Sequence, residues 1–454
     1  MITRNFWVDR FPVVMSDHVI ASRVAIPARP LASLFVEPRE VDAAAMERAL
    51  KGIFVPTNSV VNHLLYLLNL ARSHSLAVYP DERAYLIGVY KSVPDETGPM
   101  PVCMTGLAGV GKTQLLSAFG RLLEGPKKVS VEGIRDIPLL ASWYVSVRDS
   151  SSLSGLLLPF VQEAMIAGYD ECLNTSCKHR VTLRELLTSA RRRAFRDGVC
   201  LVFLDEFQFA AQSVNANTRA TKLLLSMSGI GPRLVFCANY SMVHKLKLRN
   251  HEERQRLLCH PVVILPEVNG SSDWSSILDE YFKVAPDVFN LSSWRDGEAL
   301  HHYTAGIKRV LIDLLVLAFL QYTAKNQRKL TLSDVERTYK SMQFTSHRED
   351  TEALKRQGIE QRSVRQDLWC PFDIPASPAV ASATAAVKSF EDAVERELLK
   401  SSLSPAERKA VDAIEHGSQP RRTKAIVVNI PRGQIKKEVL LDGAAAFNAS
   451  IKES

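Results

Sequence analysis

The 454-residue sequence lacks the features of a membrane or secreted protein. It contains no run of about 18 apolar residues, which is the length that a membrane-spanning helix requires. Its first residues, MITRNFWVDRFPVV, do not have the basic segment followed by an apolar segment of a secretory signal peptide. We therefore expect no membrane association and a location in the bacterial cytoplasm.

Cysteine is scarce and does not indicate a disulfide framework. The chain has seven cysteines, an odd number, and several lie within apolar runs, where a thiol behaves as a small hydrophobic group. Cys172, Cys177 and His179 lie close together, but their spacing matches no zinc signature and a fourth ligand is missing. We interpret these three as loop residues and predict no structural metal from them.

The composition is that of a globular protein with an anionic partner. Hydrophobic residues make up 46% of the chain, enough to bury a core in each of two or three domains. The formal net charge is +8 and the isoelectric point is near 9.0. This balance favours a partner rich in phosphate, and nucleic acid is the first candidate.

Changes in composition divide the chain into four predicted regions. Residues 1–52 are spaced by prolines and resemble an arm or a small attached element, whereas residues 53–268 carry an α/β pattern. Residues 269–345 contain only helical patterns and predict a small helical lid. Within residues 346–454 a highly charged stretch is followed by one of low complexity and then by a basic one. This composition predicts a largely flexible tail that docks partners.

Five short apolar runs in the second region predict a buried parallel sheet. They lack the alternation of a half-exposed strand, and they are VCMTG, ASWYVSV, VCLVFLD, RLVFCAN and PVVILPE. The segments LRELLTSARRRAFRDG and NTRATKLLLSMSG between them have helical spacing. The expected fold class is therefore a three-layer α/β domain, followed by the helical lid and the tail.

A glycine-rich segment follows the first run and precedes a helical pattern. Gly106, Gly111, Lys112 and Thr113 fit G-x-x-x-x-G-K-[ST], in which backbone N–H groups and the helix N-terminus face phosphates. Lys112 would reach the β- and γ-phosphates of ATP, and Thr113 Oγ would ligate Mg²⁺. The predicted nucleotide-binding residues of this loop are Gly106, Leu107, Ala108, Gly109, Val110, Gly111, Lys112, Thr113 and Gln114.

Two acidic residues end the run VCLVFLDE. Asp205 would lie at the carboxyl edge of the sheet beside Thr113 and hold Mg²⁺ through its water shell. Glu206 would polarise the attacking water. An adjacent Asp and Glu is typical of hydrolytic ATPase motors and switches rather than of small-molecule kinases or Ras-like GTPases, so we expect hydrolysis by water.

One polar residue follows the next buried run. Asn239 ends RLVFCAN, where an amide could hold the attacking water between Glu206 and the γ-phosphate. An asparagine that only begins a turn explains the same pattern, and the sequence leaves both readings open.

Three arginines are candidates for contacts with the phosphates. Arg256, with Arg254 as the second choice, would reach the γ-phosphate of a neighbouring subunit and make hydrolysis depend on assembly. Arg309 opens a helical pattern in the predicted lid and would fold back onto the phosphates of its own subunit. Most arginines in a run such as the one that holds Arg254 and Arg256 are only surface charge, and Arg309 in isolation at a helix start would mean little.

Taken together, these residues resemble the AAA+ ATPases over residues 53–345. The loop 106–113 corresponds to Walker A, 201–206 to Walker B, Asn239 to sensor one, Arg256 to the arginine finger and Arg309 to sensor two. More narrowly, TGLAGVGKTQLL, LDEFQ and GIGPRLVFCANYSMVHKL are similar to the TnsC/TniB family of transposition regulators, whose role is like that of MuB. Cys-Ala stands where that family often has Gly-Thr before the sensor-one residue.

The resemblance implies an ATP-dependent homo-oligomer, a ring or helical filament, that wraps double-stranded DNA. It would choose an insertion site together with a target-selection protein and recruit and activate the transposase, and ATP hydrolysis would disassemble it. The DNA-contacting candidates lie where inner loops of such an assembly are expected, and they are Arg148, Arg219 and Lys222. Arg421, Arg422 and Lys424 in the tail would bind DNA or dock the transposase.

Two other functions use the same residues. A replication initiator or helicase loader would share the site but usually adds a winged helix, for which the tail shows no convincing pair of strands. A signalling NTPase that binds no DNA would also share the site, and its basic charge would then be incidental. Salt-sensitive binding to duplex DNA that requires ATP separates these readings.

Overall fold

The fold is described by a computed structural model. The structure describes residues 5–12, 15–32, 34–35, 37–90, 98–123, 127–131, 134–148, 152–166, 182–211, 216–323 and 329–373. The predicted tail from residue 374 onward, with Arg421, Arg422 and Lys424, lies outside these residues, as do Cys172, Cys177 and His179.

The strands of the described residues form one five-stranded sheet and one hairpin. Their bounds are β1 Val102–Gly106, β2 Lys127–Val131, β3 Ile134–Leu139, β4 Ser142–Ser146, β5 Leu201–Asp205, β6 Arg233–Ala238 and β7 Pro261–Ile264. The large sheet has the order β4-β5-β6-β1-β7, and all its pairs are parallel. It contains all five predicted strands, whereas the antiparallel hairpin of β2 and β3 was not predicted.

Helices surround the sheet and continue after it. Their bounds are α1 Phe6–Asp9, α2 Asp17–Val24, α3 Arg39–Gly52, α4 Asn58–Val78, α5 Glu82–Tyr90, α6 Lys112–Leu122, α7 Leu153–Ile166, α8 Leu183–Arg196, α9 Ala216–Ser228, α10 Tyr240–Lys247, α11 His251–Leu258, α12 Ser272–Phe282, α13 Ser293–Thr304, α14 Lys308–Thr323, α15 Leu332–Lys340 and α16 Thr345–Glu360. Short 3₁₀ turns cover Phe207–Ala211 and Met342–Phe344.

Both faces of the sheet are apolar, which explains the continuous runs in the sequence. In β5, Phe203 joins the cluster that includes α4 and α6, whereas Val202 and Leu204 join the cluster that includes α8, α9 and α10. Successive side chains of a strand point to opposite faces, so a strand that is covered twice has no polar positions. The predicted fold class, a three-layer α/β domain with a parallel sheet followed by a small helical region, is confirmed.

The edge strand β4 departs from this pattern. Trp143 and Val145 are 3% and 8% exposed, but Tyr144 between them is 46% exposed. The expectation of a fully buried strand is therefore wrong here, because only one face of this part of the edge strand is covered. Its open face carries polar side chains to the end of β5.

The first 52 residues pack against the rest of the chain through three helices. Helix α2 contacts the P-loop helix α6, and α3 contacts α14. Arg10 fixes α1 by donating hydrogen bonds to the carbonyl oxygens of Leu140 and Gly198. Ile26 and Phe54 form a bridge that closes this segment just before α4.

The helical region extends beyond residue 345, where the sequence predicts the start of the tail. Helix α16 contacts α13 and α15, and Gln357 Oε1 accepts hydrogen bonds from the backbone N–H groups of Val364 and Arg365. The chain then returns to α10, where His244 Nε2 lies 3.0 Å from the Trp369 carbonyl oxygen. Within the described residues, helical packing thus continues past residue 345 and contacts continue to residue 369. None of the described helices has the length and apolar character needed to cross a membrane.

Candidate nucleotide site

The predicted phosphate loop connects β1 to α6 at the carboxyl edge of the sheet. Gly109 and Gly111 have φ angles of 86° and 105°, a region that favours glycine. A Cβ atom on Gly106 would lie 2.4 Å from the Ile264 carbonyl oxygen, so only glycine fits there. Gly111 caps α6 without a side-chain hydrogen bond, which leaves the N-terminal N–H groups of the helix available to an anion.

Lys112 points back over the loop and uses its three donors within the chain. Its Nζ donates to the carbonyl oxygens of Gly106 and Leu107, both at 2.8 Å, and to Asn239 Oδ1 at 2.9 Å. Burial lowers the pKa of Lys112 to about 8, and Arg309 acts in the same direction. The ammonium group is therefore held over the phosphate loop by the loop itself and by Asn239.

Asp205 is buried at the end of β5 and accepts three hydrogen bonds. Thr113 Oγ1 donates to its Oδ2 at 2.7 Å, the Tyr144 hydroxyl donates to the same oxygen at 2.9 Å, and the Glu206 N–H donates to Oδ1 at 2.7 Å. A hydroxyl and a carboxylate at this separation form a hard oxygen donor set that suits Mg²⁺. Among the described residues no group of three His, Cys, Asp or Glu side chains forms a metal cage, and Mg²⁺ bound with a nucleotide does not need one.

Glu206 leaves the sheet in a strained conformation and contacts β4 and the residues after it. Its φ angle is 53°, in the left-handed region that non-glycine residues rarely adopt. Ser146 Oγ lies 3.4 Å from Glu206 Oε2, and Arg148 Nε lies 3.8 Å from the same oxygen. Arg148 also stacks over Phe209 at 5.5 Å from the ring centroid. The predicted base is therefore held by its own chain.

Asn239 lies at the end of β6, next to β1. It precedes α10 but makes no side-chain capping hydrogen bond, and its Oδ1 accepts from Lys112 instead. An asparagine that only begins a turn or helix would use its side chain on the local backbone. The structure thus brings this residue to the phosphate loop, as the sequence predicts, and its role with water stays a prediction.

Arg309 lies against the phosphate loop at the start of α14. Its backbone N–H lies 3.3 Å from the Gly109 carbonyl oxygen, and a Cβ atom on Gly109 would come within 2.7 Å of Arg309 Cβ. The residue before it, Lys308, pairs with the largely buried Glu267 at 3.0 Å. These contacts join the helical region to the loop at one point.

A cleft opens beside the loop between α4, α6 and α14. Phe54, Ser59, His63, Gln114 and Lys308 are among the side chains that line it. His63 Nδ1 donates to the Ser59 carbonyl oxygen at 2.6 Å, and burial lowers the pKa of His63 below its ordinary value. The lining of this small cleft thus combines an apolar ring with polar groups.

The two arginine-finger candidates lie away from these contacts on the surface. Arg254 and Arg256 are exposed on α11, which ends just before β7. Arg256 pairs with Glu252 on its own helix at 3.3 Å. Arg249, which precedes α11, instead contacts Glu253 and Thr218. Arg254 and Arg256 are therefore exposed to contact with another molecule.

The predicted DNA-contacting residues occupy two different places. Arg219 and Lys222 are exposed on α9, whereas Arg148 lies beside Glu206. The contacts of Tyr144 and Ser146 with the two carboxylates are not predicted from the sequence. The alternation in SWYVS places Tyr144 and Ser146 on one face of a strand. It does not indicate which strand lies beside that strand.

Comparisons with known proteins identify no family for this chain. No protein-family model matches it, and no curated protein matches it. Solved structures that share features of its fold include the Aeropyrum pernix ORC1 protein in complex with DNA, with 16% identity, 58% of this chain and 63% of that chain covered, and a TM-score of 0.36. The match thus spans less than two thirds of that relative.

Two further similar structures come from other organisms. The CDC6p protein of Pyrobaculum aerophilum has 13% identity, with 77% of this chain and 78% of that chain covered and a TM-score of 0.40. Domain III of the Thermotoga maritima replication initiation protein DnaA has 17% identity, with 63% and 93% covered and a TM-score of 0.34. At these values the similarities carry no argument about function, which has to come from the site itself.

Proposed function

We propose that this chain binds ATP with Mg²⁺, assembles through that nucleotide on double-stranded DNA and disassembles when the nucleotide is hydrolysed. The observation that carries the proposal is the convergence of Lys112, Thr113, Asp205, Glu206 and Asn239 at one edge of the sheet. Three neighbouring parallel strands, β5, β6 and β1, deliver these groups. Ligands of open α/β sheets bind at this edge.

The phosphate loop and Asp205 would bind the nucleotide. Lys112 would exchange at least one of its three protein acceptors for a phosphate oxygen, since all its donors are used. Thr113 Oγ1 and Asp205 would hold Mg²⁺, which supplies charge neutralisation at the β- and γ-phosphates. Arg309 would sense the phosphates from the helical region, and Glu267 and Lys308 would transmit the change.

Glu206 would act as the base that polarises the attacking water. For this role its carboxylate has to leave Ser146 and Arg148. Asn239 would hold the same water, while its amide oxygen keeps contact with Lys112. The resting chain is therefore expected to hydrolyse ATP slowly.

A second copy would complete the site. Arg256, with Arg254 as the alternative, is exposed on α11 and would reach the γ-phosphate of the adjacent subunit. An arginine supplied in this way raises hydrolysis about 10³- to 10⁵-fold in other phosphate-loop enzymes. Hydrolysis would then depend on a ring or helical filament of this chain.

The finer assignment is to a regulator of DNA transposition of the TnsC/TniB type. It is supported by the residues TGLAGVGKTQLL and LDEFQ and by the net charge of +8. The partners would be duplex DNA, the transposase and a target-selection protein, in the bacterial cytoplasm. Arg148, Arg219 and Lys222 would contact DNA phosphates without reading bases.

Nucleotide-dependent DNA binding tests this proposal. We expect the chain to bind duplex DNA of any sequence with a non-hydrolysable ATP analogue, and much more weakly with ADP. The double variant Arg219→Ala and Lys222→Ala should reduce the slope of log affinity against log salt concentration by about 2, because each phosphate contact contributes roughly 0.9. Lys340→Ala on the exposed surface of α15 is the matched control.

Two outcomes would contradict the proposal. Equal DNA binding with ATP analogue, with ADP and without nucleotide would eliminate the switch. Nucleotide binding without any DNA binding would favour a signalling NTPase. A transposition assay with the cognate transposase then separates the transposition role from that of a replication initiator.

A further inference from the structure

Two polar side chains on one face of the edge strand β4 contact the carboxylates of Asp205 and Glu206. Tyr144 and Ser146 are two residues apart, so their side chains lie on the same face of the strand. Ser146 stands opposite Asp205 in the parallel register, and Tyr144 stands two pairs earlier, opposite Phe203. The Tyr144 side chain therefore reaches diagonally along the sheet to Asp205.

The Tyr144 hydroxyl donates one of three hydrogen bonds that the Asp205 carboxylate accepts. An ionised carboxylate offers about four acceptor positions. On Asp205, Oδ2 accepts from Thr113 at 2.7 Å and from Tyr144 at 2.9 Å, and Oδ1 accepts from the Glu206 N–H at 2.7 Å. One position on Oδ1 remains for a water of the metal shell.

The exposure of Tyr144 argues against a role in packing alone. Its side chain is 46% exposed, whereas the packing side chains of the same strand, Trp143 and Val145, are 3% and 8% exposed. Asp205 is 2% exposed. The hydroxyl of the half-exposed Tyr144 therefore donates to a buried acceptor. Contact with the carboxylate is the specific interaction that this residue makes in the site.

We propose that Tyr144 is a positioning residue that fixes the Asp205 carboxylate, and through it the Mg²⁺ bound with the nucleotide. The inference rests on the proposed nucleotide site. Thr113 and the Glu206 N–H each restrain one oxygen of Asp205 from the phosphate loop and from the residue next along the chain. Tyr144 comes from a different strand and donates to Oδ2 of this carboxylate at 2.9 Å.

The role predicts a defect in metal affinity rather than in nucleotide affinity. Groups that orient metal ligands typically contribute about 10- to 100-fold to metal affinity. Tyr144→Phe keeps the ring and removes only the donor, so we expect about tenfold more metal for half-saturation. Nucleotide affinity in the presence of EDTA should be unchanged, because neither Lys112 nor the loop loses a contact.

Titration with Mn²⁺ measures this directly. Mn²⁺ is added to the chain with the analogue adenosine 5′-(β,γ-imido)triphosphate, and bound Mn²⁺ is followed by electron paramagnetic resonance. Tyr85→Phe is the matched control, since the Tyr85 hydroxyl also donates a single hydrogen bond, to the Arg196 carbonyl oxygen at 2.8 Å away from the site. Thermal unfolding of both variants reports any general loss of structure.

The outcomes separate this inference from the proposed function. A roughly tenfold weaker Mn²⁺ affinity in Tyr144→Phe, with Tyr85→Phe like the parent, supports it. Unchanged or tighter Mn²⁺ binding in Tyr144→Phe overturns it, and so does an equal loss in both variants. If the parent chain binds no nucleotide at all, the proposed function fails instead.

Discussion

We expect Lys112 to make nucleotide affinity depend on pH above about 8. Its ammonium group donates to Gly106, Leu107 and Asn239, and burial lowers its pKa from 10.5 to about 8. The anionic phosphates of a bound nucleotide favour the charged form and raise this pKa. Binding above pH 8 therefore requires uptake of a proton.

The size of the effect follows from linkage. Below pH 8 the lysine is already charged, so affinity is full and nearly constant. Above pH 8 each pH unit lowers affinity up to tenfold, or about 1.4 kcal/mol, until the pKa of the bound state is reached. We expect the dissociation constant for ADP to be about tenfold higher at pH 9 than at pH 7.

Calorimetric titration with ADP at pH 7, 8 and 9 measures this dependence. The second ionisation of a phosphate group lies near pH 6, so ligand charge changes little across this range. The control is Lys112→Arg, whose guanidinium stays charged and should give weaker but pH-independent binding. A flat affinity in the parent, or the same slope in Lys112→Arg, would refute the reasoning.

Three further predictions concern the residues around the phosphates. Glu206→Gln should lower phosphate release from ATP about 10²- to 10⁴-fold and leave a long-lived assembly on DNA in sedimentation assays, and a normal rate would remove its assigned role. Arg148→Ala should raise DNA-independent phosphate release about two- to fivefold, the equivalent of roughly 0.5 to 1 kcal/mol for an exposed ion pair, and an unchanged or lower rate would contradict the restraint on Glu206. Gly109→Ala should abolish ADP binding because its Cβ meets Arg309 at 2.7 Å, whereas Gly120→Ala, with nothing within 4 Å, should bind like the parent.

The sheet and the phosphate loop could be predicted because their determinants are local. Both faces of β1 and β5 are covered, and a continuous apolar run reports that directly. The loop needs Gly109 and Gly111 at positive φ and a lysine after them, so its geometry is visible in eight residues. Asn239 could be placed because it ends a buried strand next to β1.

The remaining contacts depend on which strands and helices become neighbours. Tyr144 meets Asp205 only because β4 pairs with β5 in one register, and no local pattern specifies that register. Lys308 and Glu267 are 41 positions apart and meet through the fold. The highly charged sequence of α16 predicts a tail, although Thr351 and Gln357 on this helix are buried.

Mixing two inactive variants tests most directly whether one triphosphate is shared between two copies of this chain. Glu206→Gln should be unable to polarise water but should still supply Arg256, whereas Arg256→Ala should keep the loop and Glu206 but lack the proposed arginine finger. Each variant alone should hydrolyse ATP very slowly. In an equimolar mixture about one quarter of the interfaces combine an intact site with an intact finger, so about one quarter of the parent rate should return. The shared site would be contradicted if this mixture hydrolyses ATP no faster than either variant alone and if a mixture of Glu206→Gln with Arg254→Ala gives the same result.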